Sequence, residues 1–232
     1  MRKTVVIHQP DFLPWLGFFH RLRQADLYIA LDHVQFVTGT SRSWTHRDRI
    51  KTAAGPRWLS LRVRKTSLGT AIHDIALAPD DGWRAKSLQL LRESYGGAAH
   101  FDEVFPRIEA LYARGDEKLA DMNFASIGLL GDMLGAMPPV LRSSELSPAG
   151  TRNAMLVDLL GKVGATDYLS GLGARAYFDP QPFAAAGIEV RWQAFRHPVY
   201  PQLHGEFVPS LSAIDMLLNC GIDRSREILG SS

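Results

Sequence analysis

Short apolar runs alternate with stretches of helical periodicity along this chain, and that order limits the folds it can adopt. The run Thr4-Val5-Val6-Ile7 is continuous rather than alternating, which is typical of a strand covered on both faces. Further runs of this kind are predicted at Leu27–Leu31, Val140–Leu141, Asp167–Leu169 and Ile188–Phe195. Helices between such strands favour an α/β fold with a mostly parallel sheet flanked by helices.

The helices are expected where apolar residues recur at spacings of three and four. This spacing predicts helices at about 15–24, 83–94, 102–114, 117–134, 151–163 and 210–220. A hairpin-like or loop segment follows Asp32, and a further strand is expected near Arg57–Val63. The chain shows no internal repeat or low-complexity linker, so we expect a single domain over residues 1–232 with a helical middle segment.

Composition sets the class of protein. Hydrophobic residues make up 46% of the chain and charged residues 22%, as in ordinary globular proteins. Cys220 is the single cysteine, which excludes an intrachain disulfide and fits a reducing compartment. No apolar run reaches the roughly 18 residues of a membrane span, so we expect a soluble cytoplasmic protein. The histidines form no zinc-binding pattern, and the sequence leaves the cofactor and the oligomeric state open.

Charge is unevenly distributed along the chain. Residues 1–65 carry 12 Lys and Arg against 4 Asp and Glu, a net of +8, while the remainder carries 14 against 20, a net of −6. Nine of those 12 cations are arginine, whose planar fork suits phosphate and carboxylate groups. A small nucleotide-linked or phosphorylated ligand is therefore expected, and a solvated basic face is the alternative. Nucleic acid is disfavoured because the patch is compact and the net charge is only +2.

Three polar segments follow predicted strands, at the position where parallel sheets bind ligands. They run from His8 to Gly17, from Asp32 to Arg49, and from Ser170 to Tyr177. We expect them to converge on one edge of the sheet. An irregular, polar C-terminal segment from His197 to Glu206 is a fourth candidate.

The candidate residues fall into two groups. Catalytic roles are assigned to His8, Asp32 and His204. His8 or His204 would move the proton, since histidine titrates near neutral pH, and Asp32 would orient the sugar or amine. Substrate binding is assigned to Gln9, Asp11, Trp15, Gly17, Gln35, Arg42, Trp44, Arg47, Arg49, Ser170, Gly171, Arg175, Tyr177, Tyr200, Gln202 and Glu206. For each group a purely structural role is the alternative.

Arg47 and Arg49 would share one face of an extended strand. Two adjacent guanidinium groups repel one another unless an anion lies between them, so the pair favours a bound phosphate or pyrophosphate. The alternative is a pair of ion pairs with carboxylates such as Asp48 or Asp32.

These residues resemble the WbqC-like family. The resemblance rests on V-V-I-H-Q-P-D-F-L-P-W-L-G-F-F at Val5 to Phe19, A-D-L-Y-I-A-L-D-H-V-Q-F at Ala25 to Phe36, S-W-T-H-R-D-R-I-K at Ser43 to Lys51, Y-L-S-G at Tyr168 to Gly171, and Y-P-Q-L-H-G-E-F-V-P-S-L-S-A-I-D at Tyr200 to Asp215. The chain departs from the family pattern in having His33 where a second acid is usual, and His46 and Asp48 where asparagines are usual.

The resemblance implies a cytoplasmic step in surface polysaccharide (O-antigen, lipopolysaccharide) biosynthesis. That step would be carried out by a transferase or amide-forming enzyme acting on a nucleotide-activated amino sugar. The alternatives are a non-catalytic nucleotide-sugar-binding protein and an ATP-dependent adenylating ligase. The opening segment also resembles nucleotidyltransferases and pantothenate synthetase, which implies a nucleotidyltransferase-like (HUP-type) sheet. Those enzymes carry H-x-G-H where this chain has Trp15-Leu16-Gly17-Phe18.

Overall fold

A computed structural model describes residues 1–37 and 43–232 of the chain. Within these ranges the strands are β1 (Thr4–His8), β2 (Leu27–Ala30), β3 (Arg47–Thr52), β4 (Gly55–Ser60), β5 (Val140–Arg142), β6 (Asp167–Ser170) and β7 (Glu189–Trp192). The helices are α1 (Leu16–Leu22), α2 (Trp83–Tyr95), α3 (Phe101–Ala113), α4 (Leu119–Leu134), α5 (Ser143–Leu146), α6 (Arg152–Lys162), α7 (Gln181–Ala185), α8 (Ile214–Cys220) and α9 (Ile222–Gly230). Short 3₁₀ turns lie at Ile72–Asp74 and Leu172–Tyr177.

The main sheet has five strands in the order β5-β2-β1-β6-β7, and every neighbouring pair is parallel. The chain starts at the centre with β1, moves outward through β2 to β5, and then returns to the other side of β1 as β6 and β7. The strand order therefore reverses between β1 and β6. The predicted α/β fold with a parallel sheet flanked by helices is confirmed.

Both faces of the central strands are covered, as the continuous apolar runs predicted. Val6 and Tyr28 point into the larger core, which α1, α3, α4 and α8 complete. Val5 and Ile7 point into a smaller core on the opposite face, together with Leu159 of α6 and other residues. Alternate residues of one strand thus enter two different cores.

The strand predicted near Arg57–Val63 does not join this sheet. The segment folds instead as an antiparallel hairpin, in which β3 pairs with β4 from Arg47 opposite Ser60 to Thr52 opposite Gly55. A two-residue connection can only join antiparallel strands, because a parallel partner requires a long crossover. Gly55 has a φ of 97°, which suits glycine at the end of this tight turn.

The C-terminal region also differs from the prediction. The last strand is shorter than expected and covers Glu189–Trp192, while the helix expected at 210–220 begins at Ile214. A further helix, α9, follows it and buries Leu229. Its apolar residues are too few to stand out in the sequence. Across the described ranges, the structure holds no helix with both the length and the apolar character required to cross a bilayer.

Candidate functional site

Two of the predicted segments meet where the strand order reverses. His8 ends β1 and Ser170 ends the neighbouring β6, so both lie at the carboxyl edge of the sheet. In open parallel sheets ligands bind in the crevice at this reversal point. The topology therefore places the loops after β1 and β6 at the position where a ligand is expected.

The loop after β1 is held rigidly from outside the sheet. Leu13 is fully buried and has a φ of 42°, a conformation that costs a non-glycine residue of order 1 kcal/mol or more. Its N–H donates to Ser126 Oγ of α4 over 3.1 Å, and its carbonyl accepts from Ser212 Oγ over 2.7 Å. These contacts fix the strained backbone.

Asn123 of α4 joins this loop to the second predicted segment. Its Nδ2 donates to Pro10 O over 2.7 Å and to Thr45 O over 2.6 Å, and the side chain is fully buried. Thr45 Oγ1 also donates to Gln9 Oε1 over 3.2 Å. One buried amide thus holds two loops together that are far apart in the sequence.

His8 lies in a recess of this edge. About a third of its side chain is exposed, while its ring packs edge-on against Phe18 at 5.4 Å between centroids. Its Nδ1 lies 2.9 Å from Gln9 O and 3.5 Å from Asp11 Oδ2. Burial, assisted by the positive charge of Arg21, lowers the pKa of His8 to about 3. The imidazole is therefore neutral at physiological pH.

Asp11 is buried beside it, with 7% of the residue exposed. Burial raises the pKa of Asp11 to about 7, and the charge of Arg21 opposes that rise. Asp48 of β3 is also buried, and burial together with the nearby charge of Asp11 raises its pKa well above the usual range. Its Oδ1 accepts a hydrogen bond from Arg49 N over 2.6 Å. Asp11 is thus the carboxyl that changes protonation state near neutral pH.

Three hydroxyl groups surround the same edge. Tyr28 OH donates to His8 O and Gln9 O, both at 3.2 Å, and Ser170 Oγ donates to Tyr168 OH over 3.3 Å. Burial raises the pKa of both tyrosines, so both remain protonated. They add polar atoms without adding charge.

Arg21 of α1 supplies the buried positive charge of the site. Only 6% of the residue is exposed, and its Nε has no hydrogen-bond partner. A Cβ added to Gly171 would lie 2.6 Å from Arg21 Nη1, so the guanidinium lies directly against the backbone after β6. Burial lowers the pKa of Arg21, but an arginine remains charged at physiological pH.

The predicted arginine pair lies on a different surface. Arg47 and Arg49 occupy the face of β3 opposite to that of Asp48, because side chains alternate along a strand. Arg47 Cζ lies 4.1 Å from the centre of the Trp58 ring, and Arg49 Cζ lies 5.9 Å from that of Trp44. Arg47 Nε also donates to Ser43 O, and Arg49 Nη2 to Ser210 O, each over 3.1 Å. Arg42 lies outside the described residues.

Asp32 and Gln35 are not brought into this group. Asp32 is fully buried at the start of α5, where its carboxylate accepts hydrogen bonds from Ser143 Oγ, Ser144 N and Ser144 Oγ. Gln35 is exposed and forms an isolated bridge with Ala71.

Trp15 and Gly17 pack against each other. A Cβ on Gly17 would lie 2.3–2.7 Å from atoms of the Trp15 ring, so the indole already occupies the space beside the glycine. Trp15 also contacts the rings of Phe195 and His197.

The C-terminal candidates belong to a second polar network. Lys51 is 2% exposed, and its Nζ donates to Gln202 Oε1, Gly205 O and Glu206 O at 3.2, 3.3 and 2.5 Å. Gln202 Nε2 donates in turn to Asp215 Oδ1 over 2.8 Å. Tyr200 is buried near this carboxylate, which contributes with burial to raising its pKa.

Three of the candidates, His204, Arg175 and Tyr177, lie at the surface. His204 is exposed and its Nε2 lies 2.7 Å from Ser94 O of α2. Arg175 and Tyr177 are exposed on the 3₁₀ turn after Gly171. Arg175 Cζ lies 5.8 Å from the centre of the Trp192 ring.

The site is therefore built from His8, Gln9, Asp11, Ser170 and Gly171 of the predicted set, with Arg21, Tyr28, Thr45, Asp48, Asn123 and Tyr168 added by the fold. We refer to His8, Asp11, Arg21, Ser170 and Gly171 as the switch-point site. In the part of the chain that the structure describes, no three His, Cys, Asp or Glu side chains are placed to hold a metal ion.

Known proteins resemble this chain over almost its whole length. A model of the WbqC-like protein family matches residues 9–227, which include the whole switch-point site except His8. The chain belongs to the WbqC-like protein family. It is 30% identical over 224 residues to the uncharacterized protein Rv1507c of Mycobacterium tuberculosis, and the match covers 95% of each chain. No solved structure matches this WbqC-like chain.

Arg21 was not among the predicted site residues, although its place in an apolar segment could have drawn attention to it. Helix α1 of this WbqC-like protein reads Leu-Gly-Phe-Phe-His-Arg-Leu and is buried along its whole length, and arginine is rarely found fully buried without a partner. An arginine inside such an apolar helix is therefore a candidate functional group. No comparable signal identified Asn123, because its role depends on loops more than 70 residues away.

Proposed function

We propose that this WbqC-like protein is an enzyme that forms an amide on the amino group of a nucleotide-activated sugar during the synthesis of surface polysaccharides. The observation that carries the proposal is the Asp11 carboxyl, 3.5 Å from the His8 imidazole at the reversal point of the sheet. A base with a pKa near 7 is well matched to proton transfer at physiological pH. Burial gives Asp11 that pKa.

The reaction requires a proton acceptor close to the amine. A sugar ammonium group loses its proton to the Asp11 carboxylate, and the free amine then attacks the carbonyl carbon of an activated acyl donor such as a thioester. The N–C bond forms, the C–S bond breaks, and the departing thiolate takes up a proton. Neutral His8 donates its Nδ1 proton to Gln9 O, so its Nε2 can accept a hydrogen bond from the amine.

The nucleotide part of the substrate needs a cationic and aromatic surface. Arg47 stacked on Trp58 and Arg49 beside Trp44 provide one. Arginine binds phosphate bidentately and indole rings stack on bases. Thr45, two residues before this hairpin, donates a hydrogen bond to Gln9 in the loop after β1. We therefore assign the nucleotide to the hairpin and the sugar amine to the switch-point site.

The test is product formation by purified protein given nucleotide-linked amino sugars and acyl thioesters, followed by mass spectrometry. Asp11→Asn keeps the shape of the carboxyl and is expected to lower kcat/KM by about 10²-fold or more, with nucleotide-sugar affinity retained. Asp223→Asn is the matched control, because that side chain is 97% exposed. Turnover of Asp11→Asn at the rate of the unmodified protein would rule out the proposed base.

Strand order favours a second candidate, an ATP-dependent adenylating ligase. Numbered in chain order within the sheet, the strands lie in the order 3-2-1-4-5, which is that of a doubly wound nucleotide-binding sheet without its sixth strand. Against this candidate, the segment Trp15 to Phe18 lacks the two histidines of the related adenylating enzymes, and Phe18 is buried in the core. Calorimetry with ATP and Mg²⁺ separates the two candidates. Heat of binding followed by pyrophosphate release would favour the ligase, whereas binding of nucleotide-sugar alone would favour the transferase.

A further inference from the structure

A positive charge is buried at the switch-point site without a protein anion to bind it. The side chain of Arg21 makes no hydrogen bond to any described residue, and its Nε is completely buried and unpartnered. No carboxylate of residues 1–37 or 43–232 lies within ion-pair distance of it. A guanidinium buried in this way is costly unless an anion is supplied from outside.

Asp11 does not fill that role. Its charge and that of Arg21 influence each other, but its contact in the site is with His8, at 3.5 Å. The carboxyl is also only partly ionised near neutral pH, since burial raises its pKa to about 7. The charge of Arg21 is therefore left largely uncompensated.

Gly171 determines how closely the guanidinium approaches the strand end. A Cβ at this position would lie 2.6 Å from Nη1 and 3.4 Å from Cζ of Arg21, so a larger residue would displace the guanidinium from its place on the backbone here. Nε is enclosed, whereas the two Nη atoms are not among the fully buried unpaired atoms. The terminal nitrogens thus remain the accessible end of the group.

We propose that Arg21, seated on Gly171, binds one anionic group of the substrate that presents two oxygen atoms, either a phosphoryl group of the nucleotide sugar or a carboxylate of the acyl donor. This inference rests on the proposed function for the identity of those two molecules, and it adds the subsite that anchors one of them beside Asp11. A fork of two N–H donors matches two oxygens of either group.

The first experiment compares Gly171→Ala with Gly173→Ala by calorimetric titration with inorganic phosphate and, separately, acetate at constant ionic strength. Gly173 is a matched control, because a Cβ there meets nothing within 4 Å. Gly171→Ala is expected to weaken binding of the preferred anion tenfold or more, and Gly173→Ala to leave it unchanged. Preference for phosphate assigns the subsite to the nucleotide sugar, and preference for acetate assigns it to the acyl donor. Equal affinities in both variants and the unmodified protein would overturn the proposal.

The second experiment uses Arg21→Met and measures the melting temperature with and without phosphate. Removing an unpaired buried charge should leave Tm unchanged or raise it in the absence of anion, and the stabilisation by phosphate should disappear. A sharp fall in Tm without anion would identify Arg21 as a structural cation and overturn the proposal.

Asp11→Asn separates this proposal from the proposed function. The variant lacks the proton acceptor, but it also loses a negative charge that competes with the ligand for Arg21. It is expected to bind phosphate at least as tightly as the unmodified protein. If the protein forms no amide with any acyl donor, the proposed function alone is contradicted. If Gly171→Ala binds the anion with unchanged affinity, the subsite alone is contradicted.

Discussion

Nδ1 of His8 lies 3.5 Å from Oδ2 of Asp11, and the two side chains have pKa values shifted in opposite directions. Burial lowers the pKa of the histidine to about 3 and raises that of the aspartate to about 7. The histidine is therefore neutral across the physiological range, and the aspartate titrates in the middle of it. This reverses the roles that the free side chains would have.

Replacing Asp11 with asparagine is expected to change how stability depends on pH. The native carboxyl has a pKa of about 7 against an ordinary value of 3.8, so between these values the folded protein binds more protons than the unfolded chain. The free energy of unfolding then falls as pH rises through this window, by up to about 4 kcal/mol for a shift of about three units. In Asp11→Asn, the free energy of unfolding should not fall in this way across the same pH window. Urea unfolding at several pH values measures it, and parallel profiles for the two proteins would contradict the prediction.

Asn123 is expected to control the order of the loop after β1. Asn123→Leu keeps the number and branching of the side-chain heavy atoms but leaves the carbonyls of Pro10 and Thr45 without their donor. A buried acceptor left unpaired costs about 1–3 kcal/mol. We expect lower stability and faster amide exchange in residues 9–13. Ser126→Ala removes the acceptor of the Leu13 N–H in the same loop and should have a smaller effect. Unchanged exchange in Asn123→Leu would show that other contacts hold the loop.

Lys51 is expected to fix the C-terminal loop to the hairpin. Lys51→Met removes a donor shared by Gln202, Gly205 and Glu206, and it leaves the nearby Asp215 carboxylate without a cation. Loss of one partner in a buried charged network costs about 3–5 kcal/mol. We expect a lower urea midpoint and faster proteolysis within residues 202–208. Lys86→Met on the exposed face of α2 is the control, and equal proteolysis of both variants would contradict this role.

Gly17 is expected to be constrained by the Trp15 ring rather than by a ligand. In Gly17→Ala the new Cβ would overlap the indole at 2.3–2.7 Å, and overpacking of this kind costs about 1–3 kcal/mol. Gly128→Ala on α4 is the control, since nothing lies within 4 Å of its added Cβ and alanine favours a helix. Loss of nucleotide-sugar affinity in Gly17→Ala at unchanged stability would instead place Trp15 and Gly17 in the substrate site.

The parallel sheet was predictable because its strands are encoded by local patterns. The runs at Thr4–Ile7, Leu27–Leu31 and Asp167–Leu169 identified β1, β2 and β6 within one residue at each end. The hairpin was not assigned to its own sheet, since a strand pattern does not reveal which partner the strand will pair with. Helix α9 was missed because its short amphipathic pattern includes few apolar residues.

The candidate site was predictable only in part. Strand ends identified His8, Gln9, Asp11, Ser170 and Gly171, since parallel topology brings such positions to one edge. The alternation of Arg47 and Arg49 on one face of a strand was predicted, but which face of β3 turns toward the switch-point site was not. Asp32 and His204 look equally reactive in sequence, yet one caps α5 and the other contacts Ser94 at the surface.

The sequence by itself determined the sheet and the positions that follow its strands, because hydrophobic periodicity acts over a few residues. Only the tertiary structure decided which of those side chains are charged and what they face. The loop that carries Asp11 is held by Asn123 and Ser126 of α4 and by Thr45, which come from distant parts of the chain. The same packing encloses Arg21, and no local pattern records whether an anion or water will meet its guanidinium.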